Sequence, residues 1–312
     1  MWQRTNVPTT LEGRKTYEIA AKYEQRFSRA FLEVVRSMLT PAIAKEFKKA
    51  WKTHRTREVM NVFPFFRAGA RKIPEVWVKF QDKLIEAYAV VVQESGNFAA
   101  KEMSEDFQLN IQFTLIDKEE KPKIPVVPIN PYSAKWIEKR ALDLIQKDIT
   151  EQQREVVREI IKEGFKKGLR AEVVYQDVKK NIGLTERWAK AVENRRQLLL
   201  ESGMKASLVE KRVDAYREKL LLKRAQMIAR TETITAQAQG RRDAWRSAEG
   251  AGLLPPVERV WITAPSGCKI CIALDGETAP LDEPYETEQG TFMGPTAHPH
   301  CRCTERLRRK AE

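Results

Sequence analysis

Two short stretches, CKICIALDG from Cys268 to Gly276 and HPHCRC from His298 to Cys303, hold all four cysteines and two of the three histidines of a 312-residue chain. Cys268-Lys269-Ile270-Cys271 has the spacing of a knuckle, in which two thiolates reach one ion from a single turn. The second stretch offers His298, His300, Cys301 and Cys303. Tetrahedral zinc takes four nitrogen or sulfur ligands, so two from each stretch would staple a terminal element too small to hold itself together. Cys268, Cys271 and one or both of Cys301 and Cys303 are the expected ligands. His298 is the substitute donor, and His300 is the weakest candidate. Two disulfides and unligated thiols are the competing readings; synthesis in a reducing cytoplasm favours the ion, as structural Zn2+.

Catalytic chemistry finds less support. A zinc deaminase needs His-x-Glu ahead of its Cys-x-x-Cys, and a metalloprotease needs His-Glu-x-x-His; neither is present. Phosphate-binding Gly-x-x-x-x-Gly-Lys, Gly-x-Ser-x-Gly and Gly-x-Gly-x-x-Gly motifs are also missing. His54 stands alone in a basic helix, as a surface or packing residue. Trp51, Trp77 and Trp136 fall on apolar helical faces and read as core. The chain is expected not to be an enzyme.

The elements that must carry these residues are mostly helical. With 32% charged residues and a mean hydropathy of -0.52, the composition is that of a soluble helical protein. No run of eighteen apolar residues exists, the nearest being AYAVVVQ from Ala87, so no membrane span is expected. The amino terminus lacks the apolar stretch of a signal peptide, which points to a cytoplasm as the place of synthesis.

The segment from Thr16 has helical apolar spacing up to Thr40-Pro41, which ends one helix and caps the next. A third helix is predicted from Pro74 to Gly96. FQLNIQFTL, from Phe107 to Leu115, alternates with a period of two and reads as a strand. Four prolines between Pro122 and Pro131 then predict an extended linker. From Ser133 the helical period returns until Gly164 or Gly168 breaks it. Thr185 reads as an N-cap, and Ser207 with Glu210 as a capping box opening a long charged helix to about Glu249. VERVWITA from Val257 is a predicted strand, Leu274-Asp275-Gly276 a tight turn, and CRCTERLRRK a basic strand or tail. The expected organisation is a helical region over 1-120, a linker over 121-132, a helical domain over 133-256 and a small β-rich element over 257-312. In fold class this is a mainly α, multi-helix body with a small zinc-stapled β-hairpin at its carboxy terminus.

The formal charge of +13 and pI near 9.5 fit a polyanionic partner, usually nucleic acid, and equally a solvated lysine-rich surface. AIAKEFKKAWKTHRTR, from Ala42 to Arg57, has the densest basic face of the amino-terminal half. Its Lys45, Lys48, Lys49, Lys52, Arg55 and Arg57 face a single acid, Glu46, and form the candidate nucleic-acid-contacting face.

The order of features resembles a known family. IARTET from Ile228 to Thr233 with Gly240 beyond it, then WITAPSGCKICIALDGE, then PTAHPHCRC from Pro295, is similar to the Mu F-like minor head proteins of tailed phages, also described as phage head morphogenesis proteins. The close resemblance covers Ser207 to Arg306, and Asn130 to Ala206 fits the family's lead-in more loosely. TAPSGC departs from the Asp often found ahead of the Cys-x-x-Cys, leaving Asp275 only in the turn, and His300 replaces a usual Asn. The resemblance implies a minor structural protein of the virion capsid near the portal vertex, assembled in the host cytoplasm. It also implies the portal protein, major capsid or scaffold proteins and packaged DNA as partners, and roles in head assembly and in DNA packaging or ejection. Arg230 and Glu232 then read either as a helix-face charge pair or as a buttress for the zinc hairpin. A zinc-dependent nucleic-acid-binding protein of a mobile element, and behind it a metal-dependent nuclease, are the alternative readings.

Overall fold

A computed structural model describes residues 10–37, 40–63, 75–107, 131–144, 152–265 and 267–310. Among them are ten helices and five short strands. The helices are α1 (Leu11–Ser37), α2 (Pro41–Trp51), α3 (Thr56–Met60), α4 (Glu75–Phe107), α5 (Pro131–Asp143), α6 (Gln152–Lys166), α7 (Ala171–Asn181), α8 (Glu186–Glu201), α9 (Ala206–Gly250) and α10 (Lys269–Leu274). The strands are β1 (Val257–Ile262), β2 (Thr278–Ala279), β3 (Tyr285–Thr287), β4 (Gly290–Phe292) and β5 (Thr304–Arg309). The mainly α class with small antiparallel strands at the carboxy terminus is thus observed. No helix among the described residues is long and apolar enough to cross a membrane.

The chain forms two compact units that interleave along the sequence. One comprises Met1–Ser28, Leu84–Glu138 and Gln226–Glu312; the other comprises Arg29–Lys83 and Lys139–Ala225.

In the second of these, an aromatic core gathers around α2. Trp51 stacks on Phe165 with ring centroids 4.1 Å apart, and Phe47 packs against Trp51, Phe63 and Tyr175. The Trp51 indole N–H donates to the Leu169 carbonyl at 3.2 Å, so its one polar atom is satisfied. Thr40 caps α2 by accepting from the Ile43 N–H at 3.3 Å, with Pro41 in the first turn. Thr185 does the same for α8, accepting from Trp188 at 3.4 Å.

Several local expectations are corrected. The basic run from Ala42 to Arg57 is two helices: α2 ends at Trp51, His54 takes a left-handed φ of 53°, and α3 begins at Thr56. Ser207 lies inside α9, which begins at Ala206, so it is not the cap. Glu210 turns instead to Lys180 at 2.6 Å and Arg196 at 3.0 Å. Gly164 does not break α6; a Cβ there would lie 2.5 Å from Val174 and 2.9 Å from Trp51, so the glycine admits close packing, and the helix ends ahead of Gly168 at φ 63°. Of the predicted strand, Phe107 is the last residue of α4 and the rest lies outside the described residues. So do residues 121–130 of the predicted linker, while Pro131 opens α5.

In the unit that holds the carboxy terminus, α4 runs straight through Gly96, where a stop was predicted. The reason is a helix crossing. A Cβ on Gly96 would lie 3.2 Å from the Gly240 carbonyl oxygen, and one on Gly240 would lie 2.9 Å from the Val92 carbonyl carbon. The two glycines let the backbones of α4 and α9 touch. Next to this crossing Tyr88 packs edge-on to Phe27 and Trp136, and its hydroxyl donates to Glu232 at 2.6 Å. An apolar cluster of Ala99, Ala100, Met103, Phe107, Trp245 and Ala248 joins α4 and α9 to Leu281 and Leu307 of the β-rich element.

Candidate metal centre

The β-rich element is more than one hairpin. β1 is the centre of a three-stranded antiparallel sheet in the order β2-β1-β5, and β3 pairs separately with β4. Register brings the chemistry together. Ile262 at the end of β1 pairs with Thr304 at the start of β5, so the residues leaving β1 lie beside those entering β5. The first group runs into α10, which carries Cys268 at its N-cap and Cys271 one turn on. The second group is His298 to Cys303.

The Leu-Asp-Gly turn holds α10 against the sheet. Asp275 accepts from the Thr263 N–H at 2.8 Å, Thr263 donates its hydroxyl to the Cys271 carbonyl at 2.5 Å, and Gly276 donates to the Trp261 carbonyl at 3.0 Å. Gly276 sits at φ 81°, a conformation that costs a side chain about 1 kcal/mol or more.

All four cysteines are unpaired as disulfides, and Cys271, Cys301 and Cys303 are each 1% exposed. Cys271 Sγ lies 3.8 Å from Cys268 Sγ, 3.9 Å from Cys301 Sγ and 3.0 Å from His298 Nε2, while Cys268 Sγ is 3.2 Å from that nitrogen. A zinc tetrahedron with ordinary bond lengths has sulfur–sulfur edges of about 3.8 Å and sulfur–nitrogen edges of about 3.5 Å. The donors therefore form two overlapping sets that could hold a metal ion, Cys268-Cys271-His298 and Cys271-Cys301-Cys303. The protons of the buried thiols are unevenly shared. Hydrogen bonds to Cys301 and Cys303 push the Cys271 thiol up, while those from Cys271 and Cys301 bring Cys303 down to about 3. A divalent cation would replace those protons, which is the chemistry this donor set suits.

His300 is turned away from the sulfurs. Its φ is 65°, its backbone N–H donates to Thr231 Oγ1 at 3.3 Å, and its Nδ1 lies 3.4 Å from Arg230. Arg230 also pairs with Glu24 at 3.1 Å and, with Arg302, lines a cavity of about 370 Å³ shared with Cys268, Cys271 and His298. Thr235 adds a hydroxyl contact to Thr296 at 3.1 Å. One face of α9 thus seats the loop that carries His298. Arg230 and Glu232 do not pair with each other; two residues apart on a helix they face different ways, and Glu232 meets Tyr88.

The six basic residues from Lys45 to Arg57 are all exposed. They are spread over α2, the following turn and α3, with Lys48 pairing with Glu172 at 3.1 Å and Arg55 with Glu58 at 3.0 Å.

One constellation escaped the sequence reading. Arg259 and Glu305, both 0% exposed in their side chains, pair at 2.9 Å across β1 and β5, and Arg242 of α9 approaches the same carboxylate at 3.8 Å. Arg242 and Arg259 both donate to the Met293 carbonyl, at 2.6 and 2.8 Å, and Arg259 donates also to Pro280 and Glu283. Arg259 stands at an inward position of a strand whose neighbours Val260 and Trp261 are buried, and that was its only visible signal.

Fold and site together define a helical protein closed by a small cysteine- and histidine-bearing sheet. Residues 155–306, just under half of the chain, match the model of the family described as Phage Mu protein F like protein, which supports the resemblance. The match begins in α6 and ends in β5. It therefore includes α9, the sheet and every candidate metal ligand. No curated protein and no solved structure matches the chain.

Proposed function

We propose that this protein is a minor structural component of a tailed-phage head, acting at the portal vertex during head assembly, with a structural rather than catalytic role. The observation that supports it most directly is the family match from α6 to β5, which spans the whole Cys/His element together with the helix that seats it. In this reading the metal, held by donors among Cys268, Cys271, His298, Cys301 and Cys303, supplies a cross-link between α10 and the loop before β5 and takes part in no reaction. The portal protein and the capsid or scaffold proteins are the proposed partners. The protein is made in the host cytoplasm and ends in the virion. A nonsense mutation in its gene should leave particles that lack this chain and fail to mature into infectious heads, and purified wild-type heads should contain it. Normal titre and normal heads from the mutant would rule the role out.

Contact with packaged DNA is a second part of the proposal, favoured by the exposure of Lys45, Lys48, Lys49, Lys52, Arg55 and Arg57. Each neutralised phosphate releases counterions, so DNA affinity should fall steeply with salt. Replacing Lys48, Lys49, Lys52 and Arg55 by Gln should reduce the slope of log affinity against log salt by about 3 to 4. An unchanged slope would assign those residues to solvent or to a protein partner.

A further inference from the structure

The amino-terminal half of α9 has two unlike faces. Inward, it buries Val209, Val213, Leu221 and Arg224 within its own compact unit. Outward, it presents Leu208, Arg212, Ala215, Lys219 and Leu222, all of them exposed. The outward residues step by four, three, four and three along the chain, the spacing of a coiled-coil seam. Leu208, Ala215 and Leu222 take its d positions, and Arg212 and Lys219 take its a positions. We propose that this seam is a docking site for an acidic amphipathic helix of a partner protein. It shares no residue with the metal centre or with the basic face of α2 and α3.

The apolar half of the case is the register. Singly exposed leucines are ordinary on a protein surface. Here Leu208 and Leu222, 43% and 42% exposed, recur on one line of the helix with the small Ala215 between them. Two heptads run about 21 Å along the axis, enough for a second helix to lay several anchors one turn apart. Leu198 and Leu200, near the end of α8, add exposed apolar surface on the other arm of the α8–α9 turn.

Charge selects the partner. Lys205, Lys211, Arg212, Lys219 and Lys223 lie on or beside the seam, and all are exposed with no ion pair among the described residues. Other cations of these helices are paired: Lys180 and Arg196 with Glu210, Lys190 with Glu186, and Arg217 with Glu218. The nearby acids are taken as well, Glu210 by that pair and Glu218 by Arg36 at 3.3 Å, which leaves Asp214 as the exposed acid of the stretch. A second copy docking seam to seam would set like charges against each other. A phosphate backbone would meet the cations and leave the leucines unused. A helix bearing leucines flanked by carboxylates satisfies both sets, and the lysine and arginine stems extend the apolar contact.

The probe is a three-heptad synthetic peptide with Leu at d and Glu at a, e and g, compared with a scrambled peptide of the same composition. Fluorescence anisotropy with the full-length protein should show the patterned peptide binding about 10-fold more tightly or better. Leu208→Ser with Leu222→Ser should remove that advantage. Arg212→Glu with Lys219→Glu should do the same, and a peptide carrying Lys in place of Glu should then recover binding. These side chains are exposed, so far-ultraviolet dichroism should be unchanged in both variants. Equal affinity for the scrambled peptide, or no binding of the patterned one, would overturn the proposal. So would a DNA duplex that displaces the peptide and ignores the leucine replacements, which would make the face a nucleic-acid contact. A dimer in sedimentation that those replacements dissolve would assign the seam to a second copy instead.

Discussion

Replacing Glu305 by Gln is expected to destabilise the carboxy-terminal unit by about 3–5 kcal/mol, the usual result of removing one partner from a buried ion pair. Glu305 is the only acid that Arg259 pairs with among the described residues, and both are fully buried. Arg242, itself nearly buried, shares that carboxylate, and the Tyr285 hydroxyl reaches it at 3.3 Å. Neutralising the acid leaves two guanidiniums out of water with carbonyl acceptors alone. The loop from Pro280 to Met293 should loosen first, because its Pro280, Glu283 and Met293 carbonyls are held by those same arginines. Near-ultraviolet dichroism would report this through Trp261, whose ring lies 5.4 Å from Tyr285, and denaturant titration would give the loss. A loss below about 1 kcal/mol would mean that the pair is solvated and contributes as a surface pair does.

The second large effect is expected from Gly240→Ala, and its sign runs against helix propensity. Alanine in a helix interior is worth about 1 kcal/mol over glycine. Here the added Cβ would lie 2.9 Å from the Val92 carbonyl carbon, 3.0 Å from its Cα and closer still to its oxygen. All three are backbone atoms, so no side-chain rotation relieves the clash and α4 must move off α9. Overpacking of this kind costs about 1–3 kcal/mol or more. A net loss of about 2 kcal/mol is therefore expected after the propensity gain, with weakened packing around Tyr88 and Glu232. Gly250→Ala provides the contrast: it lies at the end of α9 with nothing within 4 Å of a built Cβ, and should be neutral or mildly stabilising. Equal stabilities for the two variants, measured as denaturant midpoints, would refute the close crossing.

These two sites also show where reading the sequence succeeded and where it stopped. Thr40-Pro41 and Thr185 were legible as helix starts because capping is decided within four residues by a hydroxyl and the next turn's N–H groups. The Cys/His constellation was legible because soft ligands are few and their spacings are those of turns. Gly96 was misread as a stop, since its partner is Gly240 in another helix and nothing near Gly96 in sequence announces it. The break at His54 was missed for a related reason. The run from Lys52 to Arg57 contains no Gly or Pro, and α2 ends there as Trp51 packs onto Phe165. Arg242, Arg259 and Glu305 were not singled out in the sequence; their burial follows from the pairing of β1 with β5 and the approach of α9.

By itself, then, the sequence determined the helical class, the caps at Thr40 and Thr185, the presence of a small terminal sheet and the Cys/His residues that could hold a metal ion. All of these follow from local propensity, periodicity and side-chain chemistry over a few turns. Only the tertiary structure decided that the two compact units interleave, that α4 and α9 cross at paired glycines, and that Cys271 faces His298 and Cys301 while His300 faces Arg230. Those outcomes depend on strand register and on contacts between residues far apart in the chain, whose energies are shared among partners and leave no mark in either partner's local sequence.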